Sequence, residues 1–358
     1  MAKTTRWGIL STAQIGRKNW KAIHNSGNGT VVAVASRNLK AAQQFIDGCR
    51  RDAPMDTKAF GSYAELLASP EIDAVYIPLP TGLRKEWVIR AADAGKHILC
   101  EKPCAVSVAD LREMLEACRR NRVQFMDGVM FMHSRRLERM REVLNDGASV
   151  GKIRRITSAF SFCAPDEFYS ANIRAQRELE PAGCLGDLGW YCLRFALWVM
   201  QGRLPQSVTG RMLREVKGVP VEFSGELIFP DDVSSGFYCS FVTHNEEWAQ
   251  ISGNKGYLQL LDFVAPFFGN ELAFRVNNAI HNVSGCDFNM EAHWQHFAVA
   301  EYGNSHSTAQ ETNMFRNFAA QIQSAKVAEE WPDWALKTQQ MMEACLTSAR
   351  QGGREISL

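Results

Sequence analysis

Apolar residues in the first ~125 positions fall into short continuous runs, separated by stretches where they recur every three or four positions. "RWGIL" (6–10), "TVVAVAS" (30–36), "DAVYIPLP" (73–80), "HILCEKP" (97–103) and "VQFMDGV" (123–129) read as strands. Runs apolar almost throughout are expected where both faces of a strand are covered. Between them, "AQIGRKNWKAIHNSG" predicts a helix with Ile15, Trp20 and Ile23 as apolar positions and Gly27 as its stop. "LKAAQQFIDGCR", "LRKEWVIRAADAGK" and "LREMLEACRRN" are helical by the same spacing. Ser62 with Glu65, and Ser107 with Asp110, form the capping pattern that opens a helix. Strands alternating with helices predict a parallel sheet.

The second half has a different rhythm. "KIRRITSAFSFC", "QSVTGRMLRE", "VEFSGELIF", "SGFYCSFVTH", "EWAQISG" and "GYLQLLDF" follow one another with short turns. They predict a large, mainly antiparallel open sheet, with helices near 183–202 and 310–325 and a C-terminal helix over 333–351. The expected fold class is therefore α/β + α+β. A doubly wound, Rossmann-type α/β domain is expected over 1–125 and an α+β domain over 126–358, the C-terminal helix packing back on the first domain.

Composition narrows the function classes. A chain of 358 residues is too long for one ordinary core, which agrees with two domains. Net charge is +1, from 40 basic and 39 acidic residues, so no nucleic-acid partner is expected. The dense basic run Arg135, Arg136, Arg139, Arg141 is interleaved with Glu138 and Glu142 and reads as a solvated, ion-paired helix face. Ten cysteines show no C-x-x-C spacing and read as reduced core residues of a cytoplasmic protein. Because the sequence enters a strand almost at once, no signal peptide is expected, and no apolar run reaches the ~18 residues of a membrane span.

Four stretches carry candidate chemistry. "GILSTAQIG" (8–16) sits where a dinucleotide fold places its phosphate-binding turn, but Ser11 and Ala13 stand where the fingerprint has its first two glycines before Gly16. Ser11 and Thr12 offer hydroxyls to phosphate oxygens, and either could help cap the helix. At the end of the second strand, ~20 residues on, an acid would bind the ribose 2′-hydroxyl of NAD. Ser36 and Arg37 stand there instead, a pair suited to a 2′-phosphate, so the expected cofactor is NADP, with NAD possible. Lys102 follows Glu101 at the C-terminal end of a strand, the edge where open α/β sheets bind ligands. Asp187 and Tyr191 in "GDLGWYC" are four apart, hence on one face of a helix. A tyrosine there can move a proton once a nearby cation lowers its pKa. His293 and His296, three apart, could face a metal from a helix, but no metal site is expected from them. His244 reads as a loop histidine.

The chain resembles the glucose–fructose oxidoreductase / inositol dehydrogenase / rhizopine-catabolism (GFO/IDH/MocA) family. "WGILSTAQIG", "VVAVASRNLKAAQQF", "DAVYIPLP", "AGKHILCEKP" and "GDLGWYC" fall in family order, and "ISGNKGYLQL" and "SARQGGREISL" extend the likeness over essentially the whole chain. The S-T-A form of the turn looks like the dihydrodiol and xylose-type dehydrogenase branch, mainly NADP enzymes. The resemblance implies a dehydrogenase or reductase acting on a CH–OH group of a sugar, polyol or cyclic diol, its second domain binding substrate and pairing two subunits into a homodimer or dimer of dimers. Lys102, Asp187 and Tyr191 would be catalytic. Gly8, Ser11, Thr12, Ala13, Gln14 and Ile15 would line the pyrophosphate. Ser36 and Arg37 would hold the 2′-phosphate. Pro80, Thr81, Leu83, Glu101 and Lys102 would border ribose and nicotinamide.

Two segments depart from the family. "PTGLR" puts Thr81 and Arg84 where Pro-Asn-x-x-His is usual, and "FMHSRR" includes Met132 and lacks the usual His-Pro. They motivate an alternative, an NADP-binding sensor with a drifted pocket. A methyltransferase is disfavoured by Arg37, since an acid usually binds that ribose too.

Overall fold

Strand β1 (Thr5–Leu10) is the centre from which the first sheet winds outward in both directions. The computed structural model describes residues 4–267, 269 and 271–358. After β1 come α1 (Gln14–Ser26), β2 (Gly29–Ala35), α2 (Leu39–Arg50), β3 (Lys58–Phe60), α3 (Tyr63–Ala68), β4 (Ala74–Ile77), α4 (Thr81–Asp93), β5 (His97–Cys100), α5 (Val108–Arg120) and β6 (Phe125–Asp127). The strands run in the order β3-β2-β1-β4-β5-β6, every pairing parallel. This is the doubly wound order, with its switch point between β1 and β4. Local signals act as expected. Gly27 closes α1 at φ 79°, the Ser62 hydroxyl accepts from Glu65 N, and the Ser107 hydroxyl accepts from Asp110 N.

The second half supplies α6 (Arg135–Asn145), β7 (Ile153–Cys163), α7 (Phe168–Ala171), a π turn (Leu185–Gly189), α8 (Trp190–Val199), β8 (Ser207–Val216), β9 (Val219–Phe229), β10 (Val233–Ser240), β11 (Val242–Gly253) and β12 (Tyr257–Leu260). Next come β13 (Leu272–Asn277), β14 (Ile280–Ser284), β15 (Asp287–Glu291), β16 (Trp294–Val299), α9 (Gln310–Gln323), α10 (Glu330–Arg350) and β17 (Ile356–Ser357). Nine strands form one sheet, β16-β13-β12-β11-β7-β10-β9-β8-β17, antiparallel except where β10 meets β7. β14 and β15 form a separate hairpin.

The chain groups into two compact units. One holds residues 1–133 with 171–182 and 302–340, the other 134–170, 183–301 and 341–358. In the first, Trp7 of β1 is fully buried against Phe315 and Phe318 of α9, ring centroids 5.1 and 5.3 Å apart. A helix more than 300 positions downstream thus completes the core around the central strand.

Several expectations are corrected. In α1, Ile15 is 41% exposed, whereas Asn19 is buried because its amide donates to the Tyr76 hydroxyl at 2.6 Å. The basic run is not uniformly solvated. Arg136 is buried and donates to the Asp262 carboxylate and backbone oxygen, both at 2.6 Å. Arg141 lies over the Trp198 ring at 4.3 Å, and burial lowers its pKa. Helical periodicity turns these two inward, while the exposed Arg139 pairs with Glu142. The run 235–244 is two strands. Phe241 N donates to Val221 O and Phe241 O accepts from Ala164 N, so the chain crosses from one side of β7 to the other. His293 and His296 lie at and in a strand, not on a helix, and face Glu291 and Glu271.

Truncating Phe315 to Ala removes a fully buried ring from beside Trp7 and is expected to cost about 3–5 kcal/mol in urea unfolding. A loss below about 1 kcal/mol would show that α9 does not complete this core.

Candidate active site

The turn after β1 shows how a serine replaces a glycine. Ser11 has φ 138°, in the positive region where a side chain is disfavoured. Two hydrogen bonds hold it there. Its N–H donates to Ala35 O at 3.0 Å, and its hydroxyl oxygen accepts from Ala13 N at 2.9 Å. The N-cap of α1 is Ala13, and no side chain caps the helix. This corrects the expected capping by Ser11 or Thr12, since the Ser11 hydroxyl accepts from the N–H of the N-cap residue, Ala13, and not from an N–H of the helix's first turn. The first N–H groups of a thirteen-residue helix are thereby left for a ligand, the arrangement that suits an anion. Thr12 and Ala13 are half-buried, and Gln14 and Ile15 are exposed beside that helix end.

Gly8 and Gly16 serve packing. A Cβ on Gly8 would lie 2.8 Å from Leu66 Cδ2, and one on Gly16 would lie 3.2 Å from the Phe45 ring. Past β2, Ser36 is half-buried and Arg37 exposed. Arg37 lies close enough to Tyr63 to pull its pKa down, although burial dominates and raises it.

Glu101 of the E-K-P stretch is anchored inward. Its carboxylate accepts from the Tyr76 hydroxyl at 2.6 Å, and Asn19 donates to that same hydroxyl. Tyr76 is fully buried, and burial together with Glu101 raises its pKa well above the phenol range, so it stays a donor. The Lys102–Pro103 bond is cis and Lys102 is half-buried. Arg84, only 5% exposed, holds this turn in place. Its Nε donates to Leu79 O at 2.7 Å, and one Nη donates to both Thr81 Oγ1 and Pro103 O.

Glu180 completes the network from a distant part of the same unit. Its carboxylate accepts from Thr81 N at 3.0 Å and from the Thr81 hydroxyl at 2.6 Å. A carboxylate on the first turn of α4 is favoured by the helix dipole. Gly82 N donates to Leu179 O, and a Cβ at Gly82 would lie 2.3 Å from Glu178 O, so only glycine admits this close approach. Pro80 is half-buried and Leu83 is 40% exposed. The departures Thr81 and Arg84 are thus built into the lysine turn. No local pattern marks Glu180, because its partner lies 99 positions away.

In the second unit, Asp187 lies in the π turn and Tyr191 in the first turn of α8. The expected uniform α-helical spacing is therefore corrected to a wider turn leading into an α-helix. Such π turns recur at functional sites. Glycines let the segment pack closely. A Cβ on Gly183 would lie 2.1 Å from Pro220 O, and one on Gly189 would lie 3.2 Å from Cys239 Sγ. All ten residues of α8 are buried. Tyr191 is 7% exposed, its ring 5.7 Å from that of Phe160, and Asp187 is half-buried. His244 is exposed on β11. Among the described residues no three His, Cys, Asp or Glu groups are placed to hold a metal ion. No helix there is long and apolar enough to cross a membrane.

Residues 5–129 match the GFO/IDH/MocA oxidoreductase family with an NAD-binding Rossmann fold, and residues 137–259 match the family's C-terminal domain. Human trans-1,2-dihydrobenzene-1,2-diol dehydrogenase is 34% identical over 265 residues, covering 72% of this chain and 74% of that protein. The chain belongs to the GFO/IDH/MocA family. Solved structures share the fold. An aldose–aldose oxidoreductase from Caulobacter crescentus, complexed with glycerol, aligns at TM-score 0.82 and 20% identity over 99% of this chain and 100% of that one. A 3-ketoreductase from Actinomadura kijaniata, with NADP and TDP-benzene, aligns at 0.79 and 23% over 97% and 98%. For this family member, Thr81 and Arg84 replace the usual Asn and His without loss of an ordered turn.

Substituting Arg84 by Met should destabilise the protein by on the order of 3 kcal/mol in urea unfolding, because two buried carbonyls lose their donor. Unchanged stability would show that the lysine turn holds without it.

Proposed function

We propose that the protein is an NADP-dependent dehydrogenase or reductase acting on a carbinol carbon of a sugar, polyol or cyclic diol. The observation that carries this reading is the uncapped N-terminus of α1 behind the Ser11 turn, followed by Ser36 and Arg37 where an acid would exclude a 2′-phosphate. The residues present fit the cofactor. Open helix N–H groups suit the pyrophosphate, and an exposed guanidinium suits the extra phosphate.

NADP, when bound, supplies or takes the hydride at its nicotinamide. The chain supplies positioning and the proton. Tyr191 takes the hydroxyl proton in oxidation and returns it in reduction. Lys102 contributes an ammonium group to the reaction. Asp187 orients the substrate hydroxyl. The Arg84–Thr81–Glu180 network keeps the backbone next to Lys102 in one conformation. The diol dehydrogenase relative and the NADP-bearing ketoreductase support substrate class and cofactor. Of the two segments that motivate the non-catalytic alternative, 81–84 is an ordered part of the lysine turn.

Tyr191→Phe and Lys102→Ala are each expected to abolish turnover in a screen of aldoses, inositols and cyclic diols, with NADP binding by fluorescence titration largely retained. Undiminished turnover in both would sink the catalytic assignment. Arg37→Ala should weaken NADP while sparing NAD, by about 10-fold or more for the loss of a charge-assisted bond. Equal effects on the two cofactors would contradict the role given to Arg37.

A further inference from the structure

β11 carries a carboxyl group on the same side of its sheet as Tyr191's aromatic neighbour. Glu247 stands directly opposite Phe160 in the antiparallel β11–β7 ladder. Residues so paired project to the same face. That face is the one covered by α8, since the Phe160 ring packs 5.7 Å from Tyr191. Phe263 extends the wall, 6.3 Å from Phe160 and 5.3 Å from Phe195 of α8. Trp248, the next residue on β11, borders an open groove of about 430 Å³ on the other face with Arg155 and Thr157. Strand alternation therefore separates the two, and Glu247 belongs with the aromatics.

Its local bonding leaves capacity over. One carboxyl oxygen accepts from Ala265 N at 2.8 Å, and the backbone oxygen accepts from Phe263 N at 3.0 Å, so the residue is fixed against the loop after β12. The other carboxyl oxygen meets no donor among the described residues. The nearest cation of consequence, Arg136, is spent on Asp262. A half-buried carboxyl beside aromatic rings is expensive unless something polar reaches it.

We propose that Glu247 is a specificity-determining residue of the substrate side, hydrogen-bonding a second hydroxyl of the substrate while the half-buried ring of Phe160, backed from inside by the buried Phe263, covers its apolar face. This rests on the dehydrogenase reading and adds to it the residue that recognises the second hydroxyl. A site built to bond a hydroxyl rejects the analogue that lacks it, because its own polar group is then left unpaired. The titration of Glu247 supports the assignment. Burial, with the Asp262 carboxylate adding repulsion, raises its pKa to about 7, against the opposing pull of the Ala265 N–H and Arg136. Among the described residues, Asp262 and Arg136 are the charged groups that act on it. Near neutrality the group can therefore donate or accept.

The test compares wild type, Glu247→Gln and Glu247→Ala, all loaded with NADP, using vicinal cyclohexanediol as probe and cyclohexanol as control. Binding is read by calorimetry and turnover by NADPH absorbance. Glu247→Ala should lower affinity and kcat/KM for the diol by about 10- to 100-fold, the value of one hydrogen bond to a charged group, and by a few-fold at most for the mono-alcohol. In wild type the diol preference should rise as pH passes upward through the region near 7, where the carboxylate becomes a charged acceptor. In Glu247→Gln it should be flat. A purely structural role would lower both probes together and leave no pH-dependent split. Equal losses, no loss, or no diol binding to wild type would each overturn the proposal. The binding arm is independent of Tyr191. Retained diol binding with turnover that ignores Tyr191→Phe would therefore count against the catalytic reading and not against Glu247.

Discussion

A single buried guanidinium holds the first unit's chemistry in shape. Arg84 bridges the backbone after β4 to the backbone after β5 by donating to Leu79 O and Pro103 O. Parallel strands end with their carbonyls at one edge, and the loops leaving that edge have no ladder to order them. A planar group with several fixed donors satisfies carbonyls from two such loops at once. The position of Lys102, one residue before Pro103, depends on that bridge. Thr81 and Glu180 add to it, the carboxylate sitting on the first turn of α4 where the helix dipole favours it.

The same logic applies at the other loops of this edge. Glu101 is drawn inward by Tyr76, itself held by Asn19 of α1, so one chain of hydrogen bonds connects the helix behind the phosphate turn to the lysine motif. Ser11 takes a positive φ that glycine would adopt more readily and is held there by its own hydroxyl bond to Ala13 N. The turn has exchanged backbone freedom for local bonding. What it keeps is the open end of α1.

In the second unit, charge is managed by pairing and aromatic residues by layering. Arg136 and Asp262 neutralise each other in the interior, which removes the cost of burying either alone. Phe160, Phe263, Phe195 and Tyr191 form a continuous packed aromatic layer on the α8 side of the sheet. Against it, a carboxyl such as Glu247 becomes a titrating group near neutrality. The glycines at 183 and 189 admit the π turn that precedes Tyr191, because any side chain there would meet backbone or a buried sulfur.

The linear pattern was enough for whatever depends on neighbours in the chain. Apolar runs marked the parallel strands except the three-residue β3, serine caps marked the starts of α3 and α5, and Gly27 marked the end of α1. The order of "GILSTAQIG", Arg37, E-K-P and the Asp187/Tyr191 pair was sufficient for the family. Strands β13 to β16 escaped notice; β14 and β15 are exposed throughout and lack a buried face to impose alternation, whereas β13 does bury Leu272, Phe274 and Val276. Other features were settled only by folding. Arg136 looked solvated until Asp262, 126 positions away, came to meet it. Thr81 and Arg84 looked like lost residues until Glu180 and Pro103 closed around them. Strand register, and not local spacing, put Glu247 opposite Phe160. Each turns on a partner distant in the chain, and a side chain's burial, charge and role are properties of such partners, which local spacing does not encode.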